Sequence, residues 1–134
     1  MTINNTEKEI VKIIEENKKY IDIFEKNLKE KKLTSKTIKM HQENIVFFLN
    51  DFVAEHYVAG FEDAHLYLED FYAYLIQKCL WATPAEIKGV ASSIKKFYKC
   101  MLENNLISKM EFSELIDSNK ICLEYSLEFC DSCY

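Results

Sequence analysis

The chain has 134 residues, 49% of them apolar, with only 2 Gly and 1 Pro, and its 17 basic and 22 acidic side chains leave a net charge of −5. So few turn residues exclude an all-β fold and predict one compact all-α domain, a bundle of four to five helices joined by short polar loops. Every basic residue is lysine, so bidentate guanidinium recognition of phosphate or guanine is excluded, and the acidic balance argues against polyanion binding by the protein as a whole.

The first helix is predicted from about Thr6 to Lys31. Ile10, Ile13, Ile14, Ile21, Phe24 and Leu28 recur at intervals of three, four or seven, as one helical face requires. The pattern drifts near Asn17, which predicts two shorter helices as an alternative. A lysine-rich turn, Lys31-Lys32-Leu33-Thr34-Ser35, follows.

Thr34 or Ser35 caps the second helix, which runs to about Ala54 with Ile38, Ile45, Phe48, Leu49, Phe52 and Val53 on its core face. Met40 and Phe47 fall on the opposite side. Another helix is expected to cover them; the alternative is a small partner-binding patch. After a connection over 55–60, a third segment from about Glu62 to Trp81 reads as one or two helices with Phe71 and Leu75 inward, and Tyr74 and Cys79 as further inward candidates.

The fourth helix has the strongest start signal in the chain. In Thr83-Pro84-Ala85-Glu86 a cap hydroxyl, a proline at the first helical position and a capping-box carboxylate coincide. The helix reaches about Asn104. Ser108-Lys109-Met110-Glu111 opens a fifth helix, with a break expected around Asp117-Ser118-Asn119 before it resumes to Phe129.

On a helical wheel, Ile87, Val90, Ala91, Ile94, Phe97, Tyr98, Met101 and Leu102 form the core face of the fourth helix. Lys88, Ser92, Lys95 and Lys99 line up beside it, with Lys96 just beyond. Glu86 is the only acid before Glu103, so this flank is positive. The second helix repeats the theme with Lys36 and Lys39; from Lys26 to Lys39 there are six lysines and one acid, Glu30. Lysines at a helix start oppose the macrodipole, so helix stability does not explain them. Two lysine clusters in an acidic chain suggest a face laid on a phosphate backbone; ordinary solvated faces are the competing explanation.

The order of these elements resembles the core-binding domain of tyrosine recombinases and phage integrases. The likeness covers about residues 20–115. It rests on Phe24-Glu25-Lys26-Asn27-Leu28, Leu33-Thr34-Ser35-Lys36-Thr37-Ile38 and Phe48-Leu49-Asn50-Asp51-Phe52. Its second half rests on Phe71-Tyr72-Ala73-Tyr74-Leu75, Ala82-Thr83-Pro84-Ala85-Glu86-Ile87, Ala91 to Lys99, and Asn105-Leu106-Ile107. The resemblance implies a SAM-like bundle whose second and fourth helices cross DNA. Lys36, Lys39, Lys88, Ser92, Lys95, Lys96 and Lys99 are thereby the expected DNA-facing residues. Asn105 stands where the family has Gly, a tolerable left-handed cap.

The family's catalytic domain uses arginines to stabilise charge on the scissile phosphate. This chain has none and ends near where that domain would begin. The expectation is a stand-alone or truncated core-binding domain that performs no strand exchange by itself, with no catalytic residue. Its partners would be duplex DNA, bound weakly and salt-sensitively, and a separate recombinase or other protein. Tyr134 is not read as a nucleophile. The alternative function is a protein-interaction or regulatory bundle that no longer binds DNA.

Other chemistry is sparse. Five cysteines without an apolar leader predict free thiols in a reducing, cytoplasmic setting, and no apolar run suits a membrane span. Cys122, Cys130 and Cys133 have partial metal or redox spacing but lack a fourth ligand nearby, so no metal or cofactor is expected. Cys79 and Cys100 read as small buried hydrophobes. His41 reads as a structural histidine at the edge of the second helix's core face. The remaining histidines, His56 and His65, are scattered.

Overall fold

The computed structural model describes residues 4–79 and 82–133, the last three as backbone. The expected end of the third helix at Trp81, the thiol of Cys133 and Tyr134 lie outside the described residues. All described secondary structure is helical, in five helical segments. Its contacts group into two compact units, Met1–Leu66 and Tyr67–Tyr134.

In the first unit, α1 spans Asn5–Glu30 as one helix, capped by Asn4, whose side chain accepts the Glu7 N–H at 2.8 Å. The drift at Asn17 does not split it. Asn17 is buried and donates to Asn50 Oδ1 at 2.9 Å, so a polar side chain occupies the core stripe because a polar partner faces it. Beyond it, Ile21, Phe24 and Leu28 are buried, whereas Ile10, Ile13 and Ile14 are only half-buried. The helix stops in a Schellman turn: Leu33 N–H reaches Leu28 C=O, Lys32 N–H reaches Lys29 C=O, and Lys32 takes φ 58°.

Helix α2, Ser35–Val46, begins at Thr34, whose hydroxyl accepts the Thr37 N–H. It continues without a break into a π-helical stretch, Phe47–Ala54, and a last turn, Glu55–Tyr57. The wider winding is visible at Glu55, whose N–H bonds Asn50 C=O five residues back. All six expected core residues of this segment are buried. The chain leaves through Val58 at φ 51°. A single turn, Phe61–Ala64, then stacks Phe61 on Tyr20 of α1 at 4.2 Å between ring centroids.

In the second unit, α3 (Leu68–Lys78) and α4 (Pro84–Glu103) both pack against α5 (Lys109–Cys133). Thr83 caps α4 by accepting the Glu86 N–H at 3.3 Å, with Pro84 in the first turn. The helix ends in a second Schellman turn, with Asn105 at φ 59° and Leu106 N–H on Met101 C=O at 2.9 Å. Ser108 and Glu111 form the reciprocal capping box at the start of α5. The expected break at Asp117-Ser118-Asn119 does not occur. Asn119 is buried, accepting from Tyr72 Oη at 2.6 Å and donating to Ala91 C=O at 3.1 Å, which ties α5 to α3 and α4.

Candidate functional site

The α4 wheel holds as drawn, with a wider core. Ile87, Val90, Ala91, Ile94, Phe97, Tyr98 and Met101 are buried, Leu102 is half-buried, and Ser93 and Cys100 extend the buried arc on the side away from Lys88, Lys95 and Lys99. Ser93 is accommodated by donating to Gly89 C=O at 3.0 Å. Lys88, Lys95, Lys96 and Lys99 are all exposed and Ser92 is half-buried. Lys88, Lys95 and Lys99 form a row about 16 Å long at 1.5 Å of rise per residue.

The pairing of these lysines separates them from others. Lys29 bonds Glu25 at 3.0 Å, which lowers the Glu25 pKa, first by the hydrogen bond and then by the ammonium charge. Lys39 sits 3.8 Å from Glu43. No described ion pair engages Lys36, Lys88, Lys95, Lys96 or Lys99. Lys36 and Lys39 are exposed at the start of α2 and belong to the first unit; the row on α4 belongs to the second.

Met40 is 41% exposed, so no helix covers it, contrary to expectation. Phe47 is half-buried in a shallow depression with Val46, Lys39 and Glu43, and Met40 does not line it. His41 is buried beside Phe24, as a structural histidine would be. Among the described residues, no group of three or more His, Cys, Asp or Glu side chains converges to hold a metal. Cys100 and Cys130 are buried; Cys79 and Cys122 are half-buried. Burial, then the charge of Glu69, raises the Cys122 pKa and disfavours its thiolate, outweighing a hydrogen bond from Ser118.

Between α3 and α5 lies a groove of about 770 Å³ walled by Tyr72, Ala73, Ile76, Ile121, Tyr125 and Phe129. Ile121, Tyr125 and Phe129 recur every four residues, yet they are 65%, 68% and 40% exposed. Their spacing was the available signal; their position outside the stripe of Leu115, Asn119, Ser126 and Cys130 was not predictable while a break was expected at Asn119.

No family model, no curated protein and no solved structure matches this chain. The likeness to recombinase core-binding domains therefore rests on the residues quoted for it.

Proposed function

We propose that this protein is a non-catalytic module that grips the phosphate backbone of duplex DNA with the lysine row of α4, and that Lys36 and Lys39 of α2 make a phosphate contact of their own. The observation that carries this reading is the exposed, unpaired state of Lys88, Lys95, Lys96 and Lys99 in a protein with excess acid. Lys95 and Lys99, four apart, are like charges on neighbouring helical positions, which costs an isolated helix a few tenths of a kcal/mol. An anion laid along the row relieves that repulsion. The resemblance of the order of elements to recombinase core-binding domains supports the same reading. Lysine point charges give affinity without base readout, so binding is weak and largely sequence-independent.

The test is fluorescence anisotropy of a labelled duplex from low to physiological salt, with wild type and Lys95→Glu/Lys99→Glu. Binding that falls with salt and is lost in the variant supports the reading. Absence of binding at low salt, or an unaffected variant, overturns it.

A further inference from the structure

The groove between α3 and α5 is separate from the lysine row in its chemistry. Its walls are mainly apolar, from Ala73 and Ile76 on one side to Ile121, Tyr125 and Phe129 on the other, with Gln77, Ser118 and Ser126 between them, and it is also lined by Glu69, Glu114 and Asp117, with no basic side chain among the described lining residues. Ile121, Tyr125 and Phe129 leave three large apolar side chains exposed along one helix face, a surface suited to partner contact. The lining on α5 runs from Glu114 to Phe129, about 22 Å of helix and thus about four turns. The α3 wall, Glu69 to Gln77, is about 12 Å long, so both helices flank about two turns of an amphipathic helix laid apolar side down, and α5 alone supports the rest.

We infer that this groove docks a basic amphipathic helix of a partner protein. Charge complementarity selects the occupant: lysines or arginines flanking the partner's apolar stripe meet the three carboxylates, while an acidic or neutral helix gains nothing there. A second copy of this chain fits poorly. A second copy docking by the same face would bring its own Glu69, Glu114 and Asp117 into the interface and no lining lysine to offset them. This inference is independent of the DNA reading, because it uses none of the α4 lysines.

The test uses the full chain, isotopically labelled, and a synthetic helix of about 18 residues, close to five turns. Its Leu and Phe form one stripe with Lys on both flanks. One control scrambles the helical phase at constant composition, and the other replaces Lys by Glu. Amide spectra are followed to millimolar peptide. The expected result is saturable shifts at Ala73, Ile76, Ile121 and Tyr125 with the basic peptide, and binding weaker by at least about ten-fold with either control. Ile121→Ser/Tyr125→Ser alters only exposed side chains and is expected to weaken binding by about ten-fold or more, as removal of central anchors does. Glu114→Lys/Asp117→Lys is the second variant and is expected to reverse the preference between the Lys and Glu peptides. The proposal is overturned by no saturable shifts in the groove, by equal binding of the phase-scrambled peptide, or by indifference to both variants. Self-association of the free protein that Ile121→Ser/Tyr125→Ser abolishes also overturns it, because the groove then belongs to a second copy.

Discussion

Tyr72 Oη and Asn119 Oδ1 lie 2.6 Å apart, and the Asn119 amide passes the connection on to Ala91 C=O. One asparagine thus bonds both neighbours of α5. Tyr72 and Asn119 are both buried, so water cannot replace a lost partner. Asn119→Ala strips Tyr72 of its acceptor and should cost about 2 kcal/mol in urea unfolding. Tyr72→Phe/Asn119→Leu removes both polar groups and should cost less than the sum of the two single changes, because neither leaves an orphan. Strictly additive costs would show that the bond contributes nothing.

The Asn17–Asn50 pair performs the same task in the first unit, joining α1 to the π-helical stretch. Asn50 is only half-buried, so solvent recovers part of what Asn17→Ala exposes. The expected loss is about 1 kcal/mol, within the usual range for one neutral hydrogen bond. A larger loss, with altered helical content, would mean that the pair also fixes the π winding.

Val58 and Lys32 occupy the left-handed region at φ 51° and φ 58°. A β-branched side chain is crowded there, and each residue directly follows a helical stop that glycine supplies without strain. Val58→Gly relieves about 1–2 kcal/mol of backbone strain and gives back part of it in chain entropy and lost packing. Lys32 is exposed, so Lys32→Gly forfeits no packing and should raise the melting temperature more cleanly. A fall in stability for Lys32→Gly would mean that the lysine side chain, not the turn, matters at that position.

Alkaline pH should unfold the second unit. Burial raises the Tyr72 and Tyr98 pKa values above the ordinary 10.0. The folded state holds both phenols neutral while the unfolded chain ionises them freely. Their contribution is therefore fully present below pH 10 and is lost as pH rises above it. Ultraviolet titration should show a late tyrosinate step that coincides with loss of helix. In Tyr98→Phe the alkaline decline should be shallower, and an unchanged decline would assign it to other groups.

Much of this architecture was legible from local signals. Thr34, Thr83 and the Ser108–Glu111 pair cap the helices they were expected to cap, and Asn105 is left-handed, as the resemblance that sets it in place of a glycine implies. The misreadings share one cause. Asn17 falls where the apolar stripe of α1 drifts and Asn119 falls in the polar run Asp117-Ser118-Asn119, so periodicity alone predicts a break at each. Each is matched by a polar group distant in sequence, Asn50 in one case and Tyr72 in the other. Periodicity has no access to such pairing. The π winding was hidden as well, since Phe48, Leu49, Phe52 and Val53 suit either helix type. Of the candidate site, the charge row on α4 follows from spacing alone, whereas the α3–α5 groove depends on how two helices pack.

The lysine row makes a quantitative claim about salt. Each phosphate neutralised releases counterions and adds about 0.9 to the slope of log K against log salt. If Lys88, Lys95 and Lys99 each meet a phosphate, changing any one to Gln should lower the slope by about 0.9 and weaken binding similarly for all duplex sequences. Lys120 provides the control, since it is exposed on acidic α5. Lys120→Gln should leave the slope unchanged, even though it alters net charge by the same amount. Equal effects from Lys95→Gln and Lys120→Gln would reduce the binding to overall charge and remove the α4 row as a site.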